Sequence, residues 1–339
     1  MKRPQLADTA VLTLGLAAGV LAERVLVRRQ VRSRDGVAAF PTLAGTREES
    51  VTCSDGIKLA VYEAGPATAS LTVVFVHGYT VSAQCWAIQV RDLEGSGVRM
   101  VLYDQRGHGA SERGPSGDDT IEQLGRDLSE VLNQRVPAGP VLLVGHSMGG
   151  MTIMALAEQQ PDLFGDGVVA VALIDTSSAG MGEVSLGLPA ALAGPVSRLL
   201  PNVSRAAPLN RRAERLRAAD SDLGRLVNAR VSFAPGTGSS LHAAMTRMQA
   251  AMKLETMAAF LPTFAAHNRT SALSVLTGIP VVIMVGDRDV LTPPSHSRVI
   301  SDALPDARMV TVPGSGHMLM MEVPEAVTSQ LRTLIEQLT

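Results

Sequence analysis

Ser147 is the residue whose setting most directly invites chemistry. It lies in Gly145-His146-Ser147-Met148-Gly149, preceded by the apolar stretch Pro140–Val144 and followed by Met151–Gln160, a helical pattern that runs up to Pro161. Strand, turn and helix in that order are the context in which G-x-S-x-G presents a serine hydroxyl at a sharp corner. The hydroxyl is a weak nucleophile, so it needs both the corner and a base within hydrogen-bond reach. Gly145 and Gly149 omit the Cβ atoms that would hold strand and helix apart, and Gly150 extends the small-residue run. The backbone N–H of Met148, at the start of the helix, points toward the place where charge would develop on a carbonyl under attack.

Seven histidines compete for the role of base. His146 adjoins the serine, but the turn aims its side chain elsewhere. His77 and His108 stand in glycine-rich turns and suit backbone hydrogen bonding, whereas His242 and His267 belong to a long helical insertion and His296 to a helix. His317 ends Gly314-Ser315-Gly316-His317, just past the last strand, where loops of a parallel sheet gather around ligands. It is the candidate base. A base of this kind is oriented by a carboxylate. Asp287 and Asp289 follow the strand Pro280–Val285, and Asp175 ends the strand before it. Asp289 is favoured because its side chain must leave the loop to meet the histidine. Asp287, beside Gly286, suits turn-making, and Asp175 stays open as the rival.

These residues need a frame, and the chain predicts one. Glu49–Ser54 and Lys58–Ala64 alternate around Asp55-Gly56 and read as a hairpin. Leu71–Val76, Arg99–Tyr103, Pro140–Val144, Gly167–Asp175, Ile279–Val285 and Ala307–Val312 are short apolar runs of the kind buried on both faces. Between them fall helical patterns at Ala83–Leu93, Thr120–Gln134, His296–Leu304 and Pro324–Leu338. Strands alternating with helices imply a mostly parallel α/β sheet of eight strands covered on both faces. The rhythm breaks over Thr176–Val275, which holds no convincing strand but has helix-like patches at Arg212–Ala219 and Leu241–Met257, divided by prolines that include Pro235 and Pro262. Roughly 100 residues are too many for a loop in a compact domain. The expected organisation is therefore a core over 41–176 and 271–339, with a helical cap over 177–270 inserted after the sixth strand.

Residues 47–176 and 276–339 resemble the α/β-hydrolase superfamily. The matching marks are His77-Gly78 after the third strand, Asp104–Ser111 in the pattern DxRGxGxS, the turn at Gly145–Gly149, Gly286–Asp289, and Gly316-His317. The resemblance implies the chain order Ser147, Asp289, His317 for nucleophile, acid and base. It also implies that Tyr79 donates a second oxyanion-hole N–H beside that of Met148, and that Arg106–Gly109 supports the site without reacting. Branches with an aspartate nucleophile, the epoxide hydrolases and haloalkane dehalogenases, are set aside because the position holds Ser147. The expectation is a serine hydrolase acting on a lipophilic carboxylic ester, with no cofactor and no metal. The alternatives are a cofactor-free haloperoxidase-like enzyme, a C–C bond hydrolase of the same fold, or a non-catalytic relative used for binding.

Composition bounds the partners. The net charge is −2, and no basic stripe is interleaved with aromatic residues, which argues against nucleic acid. Aromatics are only 3%, so Leu, Val, Ala and 15 Met must fill the core, and Met in the cap suits a lipophilic substrate. Cys53 and Cys85 form no metal-binding spacing and allow a single bridge at most. At the N-terminus, Lys2 and Arg3 precede the apolar run Thr9–Ala22, shorter than the roughly 20 residues of a membrane span. Residues 9–27 read as a membrane-associating segment with Arg28, Arg29, Arg32 and Arg34 on its cytoplasmic side. A cleaved secretory signal and a packed amphipathic helix are the alternatives. The stretch up to residue 40 reads as a linker.

Overall fold

The structure, a computed structural model, describes residues 40–115, 117–180 and 231–339. These build an eight-stranded sheet whose strands are β1 (Arg47–Thr52), β2 (Lys58–Ala64), β3 (Thr72–Val76), β4 (Arg99–Tyr103), β5 (Val141–His146), β6 (Val168–Ile174), β7 (Val281–Gly286) and β8 (Arg308–Val312). Their spatial order is β1-β2-β4-β3-β5-β6-β7-β8. The β1–β2 and β2–β4 pairs are antiparallel, and the remaining pairs are parallel.

Each central strand is apolar along its length because both of its faces are covered. In β3, Val73 and Phe75 join one core and Val74 and Val76 the other; in β5, Leu142 and Val144 oppose Val141 and Leu143. Period-two alternation thus divides a continuous apolar run between two layers. One layer receives α1 (Ala87–Asp92) and the C-terminal helices α7 (Leu319–Glu322) and α8 (Pro324–Leu338). The other receives α2 (Ile121–Arg135), α3 (Met148–Gln159) and α6 (Pro294–Ala303). The Thr120 hydroxyl caps α2 by accepting the Gln123 N–H at 3.1 Å.

Between β6 and β7 lies the insertion. Its described part carries α4 (Ser239–Ala251) and α5 (Leu254–Ala266). Where the spacing predicts one helix over Leu241–Met257, the chain breaks at Met252 and Lys253, both extended, with ψ of 135° and 141°. The break serves two burial sites. Met245 and Met248 of α4 join the layer under Trp86, whereas Met252 and Phe260 pack with Met148 and Met151 above α3. Pro262, expected to interrupt the chain, instead sits inside α5. It is exposed, so the carbonyl it deprives of a partner lies on the side open to water. The two ends of the insertion meet, with the Arg269 N–H donating to Ser178 O at 2.7 Å.

The apolar run Thr9–Ala22, the linker to residue 40 and the patch Arg212–Ala219 lie outside the described residues. Among the described residues, no helix is long and apolar enough to cross a membrane. Cys53 and Cys85 are both buried free thiols.

Candidate active site

The turn between β5 and α3 is strained, and the strain is held from several sides. Ser147 adopts φ 52° and ψ −117°, a region that non-glycine residues rarely occupy and that costs about 1–3 kcal/mol. Its N–H donates to Ile174 O at 2.9 Å, and its carbonyl accepts the Thr176 hydroxyl at 2.6 Å and the Gly150 N–H at 2.9 Å. A Cβ on Gly149 would stand 2.1 Å from Val76 O, and one on Gly145 would stand 2.7 Å from Gly150 N. Only glycine permits that approach of helix to strand.

Two loops converge on this corner. The His317 Nε2 lies 3.0 Å from Ser147 Oγ, and the His317 Nδ1 lies 2.8 Å from Asp289 Oδ2. A carboxylate accepts only, so Nδ1 carries the proton and Nε2 is left to accept from the serine hydroxyl. Asp289 is fixed in turn. Its Oδ1 accepts the N–H groups of Leu291 and Thr292 at 2.8 and 3.0 Å, and its Oδ2 accepts the Thr292 hydroxyl at 2.7 Å. Burial alone would raise the Asp289 pKa. The facing imidazole and the Thr292 hydrogen bonds outweigh it and hold the carboxyl below its usual value.

The other candidates take separate places. Asp175, fully buried, accepts Gly286 N–H at 3.0 Å and Leu319 N–H at 3.2 Å, and does not reach the imidazole ring through any hydrogen bond. Burial, followed by the nearby charge of Asp289, pushes its pKa well above the carboxylate range. Asp287 accepts the Gly314 N–H at 2.7 Å on the exposed side of the loop. His146 turns away from the serine and donates from Nε2 to His317 O at 2.8 Å; burial keeps it neutral. His77 and His108 engage backbone carbonyls, of Gly78 at 2.7 Å and Arg106 at 3.0 Å. Arg106 is fully buried, paired with Asp127 at 2.6 Å and Asp55 at 2.8 Å, a bracing role without contact to the serine.

Met148 opens α3, so its N–H has no acceptor within the helix. Tyr79 follows Gly78 beside the same corner; its hydroxyl donates to Met257 O of α5 at 2.6 Å, and its ring packs edge-on against Phe264. Sequence reasoning passed over Thr292. Its spacing of three from Asp289, a carboxylate that caps the following turn, was the available signal. It also passed over Gln105, which joins His77 O at 2.6 Å to the Thr152 hydroxyl at 2.8 Å and so ties the loop after β3 to α3. Nothing in residue spacing marks that glutamine.

Known proteins align with this frame. The chain is 27% identical over 267 residues to an sn-1-specific diacylglycerol lipase of Mus musculus, covering 76% of this chain and 80% of that protein. It is 34% identical over 101 residues to a non-heme chloroperoxidase of Streptomyces lividans, covering 30% of this chain and 36% of that protein. A thermophilic esterase from Thermogutta terrifontis superposes with a TM-score of 0.67 at 24% identity, covering 86% of this chain and 98% of that one. The family model described as the alpha/beta hydrolase family matches residues 73–330. That match runs from β3 into the last helix, over most of the chain, and the chain belongs to the alpha/beta hydrolases.

Proposed function

We propose that this hydrolase cleaves a lipophilic carboxylic ester through an acyl-enzyme on Ser147. The observation that carries the reading is the relay from Ser147 Oγ to His317 Nε2 at 3.0 Å and from His317 Nδ1 to Asp289 at 2.8 Å, on a turn that holds the serine in a strained backbone. Ser147 Oγ attacks the ester carbonyl as its proton passes to His317 Nε2. The imidazolium so formed is stabilised by Asp289, which stays ionised. The oxyanion is received by the backbone N–H groups of Met148 and Tyr79. Collapse expels the alcohol, which takes the proton from Nε2, and a water activated by the same nitrogen then releases the acid. Each oxyanion-hole donor in such a site is worth roughly 10²–10³ in turnover.

Two features support a lipophilic acyl group. Met148, Met151, Met252 and Phe260 form one apolar cluster with Tyr79, Met257 and Phe264 packed against it, and methionine adapts to irregular apolar shapes. The similarity to a diacylglycerol lipase points the same way. The test is a chain-length series of p-nitrophenyl esters with Ser147→Ala as control, together with labelling by a fluorophosphonate. Rising kcat/KM from acetate toward longer chains, lost with the serine, is the expected result. Turnover that survives the substitution would overturn the mechanism, and a preference for acetate would overturn the substrate class.

A further inference from the structure

Glu322, the last residue of α7, stands where the loop of His317 meets the cap. Its two carboxylate oxygens face different partners. Oε1 accepts the N–H groups of Gly316 at 3.0 Å and Met318 at 3.3 Å, the residues on either side of His317. Oε2 accepts the Ala234 N–H at 2.8 Å and the Thr237 hydroxyl at 3.2 Å, both from the cap segment leading into α4. The backbone of His317 is spanned in the same way. Its N–H donates to Ser232 O of the cap at 3.1 Å, and its carbonyl accepts His146 Nε2 at 2.8 Å. The approach is close: a Cβ on Gly316 would stand 2.6 Å from Ala234 N and 3.0 Å from Glu322 Oε1.

We propose that Glu322 is a positioning residue through which seating of the cap fixes the His317 imidazole, an inference that rests on His317 being the base. The imidazole meets Ser147 Oγ through a single 3.0 Å hydrogen bond, and misplacing a reacting group by about 1 Å costs on the order of 10²-fold in rate. If the cap segment at 232–237 lifts, Glu322 Oε2 loses its donors and the His317 N–H loses its acceptor together. The His317 backbone then keeps the elbow contact at its carbonyl, and the ring keeps Asp289, but the loop loses its support on the cap side. A seated cap restores both, so the site is complete when the cap is closed over it. The coupling acts on the chemical step rather than on substrate binding.

Glu322→Gln keeps the size of the side chain but replaces one accepting oxygen with a donor, so either the flanking amides or the cap donors lose their partner. With a p-nitrophenyl ester, kcat per fluorophosphonate-titratable serine should fall roughly 10- to 100-fold with KM within about threefold. An unchanged kcat per titrated site, or a change in KM alone, overturns the proposal. A second measurement needs no variant. In the wild-type protein, amide exchange of segments 231–238 and 314–323 should be slowed together when Ser147 carries a phosphonate; slowing of one segment alone also overturns it. The two readings fail separately. Turnover retained by Ser147→Ala removes the reading of the site, whereas an inactive Ser147→Ala beside a fully active Glu322→Gln removes only the role of Glu322.

Discussion

The ends of β6 and β7 each deliver a buried aspartate, and the two carboxylates behave oppositely. Asp175 is 0% exposed and Asp289 is 3% exposed, so burial does not separate them. Asp175 faces two backbone N–H groups and the charge of a neighbouring acid, and its pKa is driven up, first by burial. Asp289 is pushed up by the same burial, but an imidazole able to carry positive charge stands against it and reverses the sign. Desolvation makes a carboxylate costly, and its partner decides whether it is useful. Asp175 has become a brace, holding the N–H of Gly286 ahead of the Asp289 loop and that of Leu319 behind His317.

This contrast can be broken at several strengths. The largest effect is expected from Ser147→Ala, which removes the group Asp289 serves and leaves the surroundings of Asp175 intact. Ester turnover should drop by roughly 10⁶-fold. The folded state should be retained, and a calorimetric scan beside a p-nitrophenyl assay checks both. Next, Asp289→Asn should lower kcat by about 10⁴-fold by stabilising the wrong tautomer of His317. Asp175→Asn should cost less than about tenfold, since an amide oxygen can still accept one of the two N–H bonds. If the two losses exchange places, the acid lies at the end of β6 and the assignment of Asp289 fails.

The pH dependence of stability should carry opposite signs at the two sites. The folded pKa of Asp175 is raised above 3.8, so the unfolded chain ionises first and the group removes stability as pH climbs through that window. Melting of Asp175→Asn relative to wild type should therefore improve as pH rises above about 4. The folded pKa of Asp289 is lowered below 3.8, so its contribution is present at neutral pH and fades as pH falls through the folded value. The deficit of Asp289→Asn should shrink toward acid pH, and parallel curves for the two variants would contradict the contrast. The smallest effect is expected from Thr292→Val, which removes the hydroxyl donor to Asp289 Oδ2 at 2.7 Å. A loss of about 1 kcal/mol, or roughly fivefold in kcat/KM, is the expected outcome.

Much of this frame was legible because it is periodic. Short apolar runs between helical stretches indicate buried parallel strands, and β3 through β7 lie where those runs fall. The corner at Ser147 was legible because its glycines answer a steric need that the 2.1 Å approach at Gly149 makes explicit. The choice among Asp175, Asp287 and Asp289 rested on which side chain could leave a loop, and only Asp289 is within hydrogen-bond distance of His317. Other features carry no periodic signal. The break between α4 and α5 answers two tertiary clusters at once, and helical spacing alone runs straight through it. Glu322 reads in sequence as a charged residue ahead of a proline, because the amides it gathers are brought together only by folding.

On the cap side, the seam that Glu322 closes is made chiefly from the carbonyl of Ser232 and the N–H of Ala234, with the Thr237 hydroxyl added. Every residue brings a carbonyl, and every residue but proline brings an N–H. The connection therefore does not depend on the side-chain chemistry of Ser232 or Ala234, although both are buried and only small residues fit there, and proline at 234 would remove the donor. Such a seam separates the attachment of this segment from the identity of most of its side chains. On the acyl-ester reading proposed above, the apolar residues of α4 and α5 can change with the acyl group while the backbone attachment to the histidine loop stays the same, so substrate preference and catalytic geometry can vary independently.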